Sequence, residues 1–183
     1  MPKRRSTGYD TFKPAGLWDA EQLADVAADT FPLACPPGTS RESIEAFVDE
    51  VLSNERFGEY LNDPSRTILA ARVDDAIVGY AMAVHGAPSD PAIGPLLAHS
   101  PTMELSKLYV MPGHHGSEVA TELMKSVLAS AVERGCAGVW LGVNQENIRA
   151  QKFYAKNGFE RVGTRDFAVG GVVHTDYIME KAL

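Results

Sequence analysis

The chain has 183 residues, with 17 Lys+Arg against 24 Asp+Glu for a net charge of −7, and 45% of its residues are hydrophobic. That length suits one domain whose core needs no disulfide staples, and that apolar content excludes a disordered chain. The acidic balance argues against a nucleic-acid partner, which requires a basic footprint.

Taken in chain order, residues 1–10 read as a frayed leader, and residues 11–183 as a single domain. Leu23, Val26 and Ala27 stand at helical spacing within 19–29, with Asp19 as N-cap. The run from Phe31-Pro32 to Gly38 carries Pro32, Pro36 and Pro37 and reads as a loop in which the helix cannot continue. Thr39 and Glu42 have capping-box spacing and open a second helix, striped by Ile44, Phe47, Val48 and Val51. A short third helical segment around Phe57 to Leu61 stops at Asn62-Asp63-Pro64. Residues 67–73 and 76–84 flank Asp74-Asp75 and predict a β-hairpin. Residues 86–101 hold four prolines and predict a long surface loop, a type of segment that often carries function.

The second half is more regular. Residues 103–110 predict a strand. Residues 117–134 predict a helix, with Val119, Leu123, Val127 and Ala131 at i+4 and Gly135 as its stop. Then come a strand at 138–143, a helix from Asn147 to Asn157 ended by Gly158, and strands at 159–169 and 172–183 joined across Gly170-Gly171. The order predicts a mixed α/β domain. Cys35 and Cys136 have neither CxxC nor Cys/His metal spacing and are expected to be reduced thiols. No apolar h-region follows the basic start, and no run approaches the ~18 apolar residues of a membrane helix, so the expected setting is the cytoplasm, without a membrane partner.

Chemistry concentrates where a strand ends at Leu108-Tyr109-Val110, a turn follows through Pro112-Gly113-His114-His115-Gly116, and a helix starts near Ser117. A helix N-terminus offers unpaired N–H groups and a partial positive charge, which suits a phosphate. A plain strand-to-helix connection with Ser117 as N-cap has the same spacing. Adjacent histidines on a turn rarely reach one ion, and no third ligand accompanies His114-His115, so no metal is expected.

The segment from Leu141 to Phe159 narrows this. It reads strand, Asn147-x-x-Ala150, Phe153-Tyr154, Gly158-Phe159, and it resembles the acyl-CoA-binding half of the GNAT acetyltransferase superfamily. The match spans about 103–183 and extends more loosely back to residue 11. It implies a GNAT-type α/β (α+β) fold, a mixed and mostly antiparallel twisted sheet flanked by helices. It also implies transfer of an acetyl group from acetyl-CoA to a primary amine. Backbone groups of Leu108, Tyr109 and Val110 would pair with the pantetheine arm. Backbone N–H groups of His115, Gly116, Ser117, Glu118, Val119 and Ala120 would hold the pyrophosphate. Asn147 would contact the cofactor, and Tyr154 would protonate the leaving thiolate. Seven residues separate Asn147 from Tyr154, about two helical turns along one face. A phenol of pKa ~10 is a credible acid toward a thiolate of pKa ~8.5.

An alkylammonium must lose a proton before it attacks, so a base is required. Strand alternation groups Glu104, Ser106, Leu108 and Val110 on one face. Glu104 lies four positions before the pantetheine-binding backbone, where the family often has a carboxylate, and is the first candidate; Asp176 is the second. The phosphate turn departs from the family pattern of Arg/Gln-x-x-Gly-x-Gly/Ala. His115 replaces the first residue and Glu118 the central glycine. A carboxylate ~5 Å from a phosphate at an effective dielectric of ~20 is repelled by about 3 kcal/mol, which would weaken CoA binding. Glu118 also complements the dipole of an empty helix end.

The chain looks most like bacterial spermidine/spermine acetyltransferases, through Phe31-Pro32-Leu33-Ala34 and the ending Thr175-Asp176-Tyr177-Ile178-Met179. Residues 42–63 hold seven acidic residues against one basic residue, Arg56, which would attract a polyamine. Protein amines and antibiotics are rival acceptors. A catalytically impaired module that binds CoA or another small ligand is the rival class. Edge strands in the C-terminal half leave a homodimer open.

Overall fold

Asp74 and Asp75 turn the chain with positive φ at both positions, 49° and 64°, the two-residue geometry whose twist suits an antiparallel hairpin. They join β2 (Arg66–Val73) to β3 (Ala76–His85). The computed structural model describes residues 11–114, 118–169 and 171–183; the expected leader at 1–10 therefore lies outside the described residues. The sheet grows on both sides of this hairpin. β1 (Thr11–Pro14) adds to the outer edge of β2, and β4 (Thr102–Val110) adds beside β3. β5 (Gly138–Asn144), β6 (Glu160–Val169) and β7 (Val172–Ala182) complete seven strands in the order β1-β2-β3-β4-β5-β7-β6. Among the described residues every pairing is antiparallel except β4 with β5.

Helices cover both faces. α4 (Glu118–Glu133) lays Val119, Leu123 and Val127 on Met103, Leu105 and Leu141. α5 (Ile148–Lys156) adds Phe153 and Tyr154 at the margin of the same core. On the opposite face α1 (Ala20–Ala34), α2 (Arg41–Val51) and α3 (Asn54–Asn62) bury Leu23, Phe31 and Phe57 against Tyr80 and Met82. Among the described residues no helix is long and apolar enough to cross a membrane.

Two local expectations need correction, and one strand is new. α1 runs through Pro32 to Ala34 rather than stopping before it. Pro32 falls in the last turn, where its missing N–H removes a single bond. Stacking of Phe31 on Phe47 at 4.4 Å and the Thr30 Oγ1 bond to Val26 O at 2.7 Å hold that turn in place. The cap of α2 is Ser40, whose Oγ accepts from Ser43 N at 3.1 Å. Thr39 instead donates its hydroxyl to Pro36 O at 2.7 Å. β1 was unforeseen, since four residues are too few to show a period.

The proline-rich loop at 86–101 is a packing element. Ile93 is fully buried on Trp140 and Ile178. Glu180 is 5% exposed and accepts from Ala98 N at 2.9 Å and His99 N at 3.1 Å. Glu180→Ala strips two backbone donors of a charged acceptor and is expected to cost about 3 kcal/mol. Thermal unfolding should then fall by about 6–12 °C; an unchanged midpoint would show that Glu180 does not anchor the loop.

Candidate active site

β4 and β5 pair only from Thr102↔Gly138 to Glu104↔Trp140. Beyond that vertex β4 follows β3 as far as Gly79↔Val110, and β5 follows β7 as far as Asn144↔Asp176. The two strands splay, and among the described residues no strand pairs with β4 from Leu105 to Tyr109 on its β5 side. Such an edge presents backbone donors and acceptors to any extended ligand.

A register slip in β4 decides what faces this opening. Met82 pairs with Lys107 and Ala83 with Leu105, so Ser106 is the extra residue of a β-bulge. A bulge shifts the inside–outside alternation by one residue. Met103 and Leu105 before it, and Leu108 and Val110 after it, all pack on the α4 core. Tyr109 joins the α1–α3 core instead. The simple alternation that grouped Glu104 with Leu108 and Val110 therefore fails at Ser106.

Two cavities occupy the splay. One of about 200 Å³ lies between the end of α1, Lys107 of β4, Gly142 of β5 and Asp176 of β7. The other, of about 380 Å³, runs on past Val110 toward His114, Ala120 and Thr121. Leu108, Tyr109, Asn147 and Tyr154 line both, which makes them one crevice. Asn147 is the N-cap of α5. Its Oδ1 accepts from Ala150 N at 3.1 Å, leaving the Nδ2 amide as its donor toward a ligand. Tyr154 follows on the same face, as its spacing predicts, with its ring against Phe153 and Phe159. Burial pushes the Tyr154 phenol up to about 12, so it keeps its proton throughout the physiological range.

At the turn, Ala120 lines the larger cavity. Val119 is fully buried in the core, so only its backbone can serve a ligand. Glu118 is an exposed first residue of α4 and lines neither cavity. His115, Gly116 and Ser117 lie outside the described residues. Arg149 and Lys156, which the sequence reading did not single out, line the larger cavity and bring positive charge to it.

The carboxylates separate in the same way. Asp176 is 8% exposed and lines the smaller cavity, with Arg165 Nη2 at 3.4 Å from its Oδ2. Burial raises its pKa against the pull of Arg165. The pair fits because β5 has a glycine there: a Cβ on Gly142 would meet Arg165 Nη2 at 2.8 Å and Asp176 Oδ2 at 3.4 Å. Glu104 sits at the vertex, opposite Trp140, and lines neither cavity. Its pKa is also raised by burial, against Arg165 and Lys107.

Two more side chains escaped the sequence reading. The Tyr109 phenol is pushed up by burial and by the nearby Tyr154, Cys35 and Asp176, so its hydroxyl stands among the groups of the smaller cavity. Lys107 lines that cavity, and burial lowers its pKa to about 8. The bulge that turns Lys107 inward leaves no mark on a hydropathy pattern. None of the seven acidic residues at 42–63 lines the crevice. Glu45 pairs with Arg41 at 2.7 Å and Glu59 with Arg56 at 2.8 Å, both exposed.

The acetyltransferase (GNAT) family model matches residues 21–159. An uncharacterised N-acetyltransferase of Mycobacterium tuberculosis is 53% identical over 167 residues, covering 91% of this chain and 99% of the relative. Streptothricin acetyltransferase of Streptomyces lavendulae is 28% identical over 140 residues, covering 76% of this chain and 68% of that protein. Among solved structures, the PaiA N-acetyltransferase of Thermoplasma acidophilum, in complex with coenzyme A, superposes with a TM-score of 0.75 at 23% identity, covering 93% of this chain and 97% of that one. A splayed β4/β5 pair, the Asn147–Tyr154 helix beside it and these matches agree: the chain belongs to the GNAT family of N-acetyltransferases.

Proposed function

We propose that the protein moves the acetyl group of acetyl-CoA to a primary amine by direct attack within the crevice, with Tyr154 as the acid and a carboxylate of the smaller cavity as the base. The observation that carries this reading is the divergence of β4 from β5 past Glu104, with Tyr154 and Asp176 both lining the crevice that it opens. In this reading the pantetheine arm runs along Leu108–Val110 and the larger cavity takes the nucleotide end, with Arg149 and Lys156 toward its phosphates. That charge offsets the exposed Glu118, so the acidic residue at the helix start need not prevent binding.

The amine enters from the side of α1 and Asp176. Asp176 lines the cavity and Glu104 does not, which favours Asp176 as the direct base and leaves Glu104 to accept a proton only through water. Burial raises both carboxylates, and a raised carboxylate is a better acceptor for an ammonium proton. Spermidine and spermine belong among the acceptors to be tried, although the carboxylates that suggested them lie outside the crevice.

The test pairs calorimetric titration of acetyl-CoA with thiol release across a panel of amines. Binding with turnover on at least one amine is expected. Binding without turnover on any amine would favour a ligand-sensing module.

A further inference from the structure

Lys107 has no part in the reading above. A lysine in an amine-acetylating pocket is costly, because it repels the ammonium that must enter. Here it is turned inward by the Ser106 bulge, on the face that also carries Tyr109 and Met82. No ion pair or hydrogen bond closes on its ammonium among the described residues. The charges it faces are Glu104 on its own strand and Arg66 on β2. Arg66 is already committed to Asp63 at 3.2 Å. Across the cavity Arg165 Nη2 approaches Asp176 Oδ2 only to 3.4 Å, while the Arg165 Nε is buried without an acceptor. The end of the crevice that takes the acceptor is thus lined by one cation, Lys107, and one carboxylate, Asp176.

Buried charges are retained where a partner compensates them. A polyamine brings only positive charge and gives Lys107 no partner beyond Glu104, which faces it without closing an ion pair. An acceptor with one ammonium and one carboxylate matches both signs. The smaller cavity, about 200 Å³, also suits a small molecule better than a long polycation. Lys107 is the one lysine or arginine among the described residues that lines this cavity, and its single positive charge matches the single negative charge of a carboxylate. We propose that the acceptor is a small primary amine that also bears a carboxylate, and that Lys107 binds this carboxylate while Asp176 receives the ammonium. This rests on the transferase reading given above.

The experiment compares kcat/KM for amino acids and for the amines left when their carboxylate is removed, with spermidine alongside. The carboxylated member of each pair should be preferred by at least about tenfold. Lys107→Met should abolish that preference through KM, with the decarboxylated amines retained or improved. Lys107→Arg should keep the preference, and thermal unfolding of both variants reports whether they fold; Lys107→Gln replaces Lys107→Met if the latter does not. A wild-type ratio of one or below, or a ratio that survives Lys107→Met, overturns the proposal. Thiol release from no amine, with acetyl-CoA still bound, overturns the transferase reading itself and this inference with it.

Discussion

Tyr154→Phe is expected to lower kcat by about 10²–10³-fold while leaving acetyl-CoA affinity and thermal stability close to wild type. The substitution removes one hydroxyl and keeps the ring against Phe153 and Phe159, 5.6 and 6.0 Å away between centroids, so no cavity opens. The hydroxyl matters because a departing thiolate is stabilised by a proton. With the phenol at about 12, transfer to a thiolate of ordinary pKa ~8.5 runs uphill. The burial that raises the phenol also raises the thiol bound beside it, which narrows the gap. The sign of the pH dependence follows. Tyr154 is protonated, and competent as an acid, at every pH below about 12. No falling limb from this group should therefore appear in kcat up to the alkaline limit of stability. Unchanged kcat in Tyr154→Phe would mean that the thiolate leaves without help.

Asp176→Asn is expected to reduce kcat/KM by about 10²–10⁴-fold and to remove the acidic limb of its pH profile, as befits loss of a general base. Glu104→Gln should reduce it by less than about tenfold, because water can take over at one remove. The limb has a definite direction. A base must be ionised to accept a proton, so activity rises with pH through its pKa, and burial places that rise above the usual carboxylate range. Asp176→Asn also leaves Arg165 without its carboxylate, so thermal unfolding must accompany the kinetics. A larger loss in Glu104→Gln, with its own missing limb, would make Glu104 the base.

The two carboxylates also show how far the sequence can be read. Elements with a long period, such as α4 with its i+4 apolar residues or the hairpin at Asp74-Asp75, are evident because burial of one face imposes the period. Asn147 and Tyr154 were legible for a related reason: both lie on a single helix, so their spacing fixes their relative direction. The face assigned to Glu104 and the inward turn of Lys107 escape the sequence for one cause. The Ser106 bulge reverses alternation within β4, and no composition signal marks it. Asp176 gains its place from the β5–β7 pairing, a contact between distant parts of the chain. The carboxylates at 42–63 that suggest a polyamine lie on helices whose facing the sequence does not give. Those charges are turned outward, and the crevice has its own balance of charge.

The central claim is direct transfer from the thioester to an amine in this crevice, and Cys35, which lines the smaller cavity, is the nucleophile that would offer a different route. The most direct measurement uses acetyl-CoA with an isotopically labelled acetyl group, a reactive amine and mass spectrometry of both amine and protein. The account predicts label in the amine, one per thiol released, and none on the protein. Label on Cys35 during turnover, or label found only as free acetate, would contradict it.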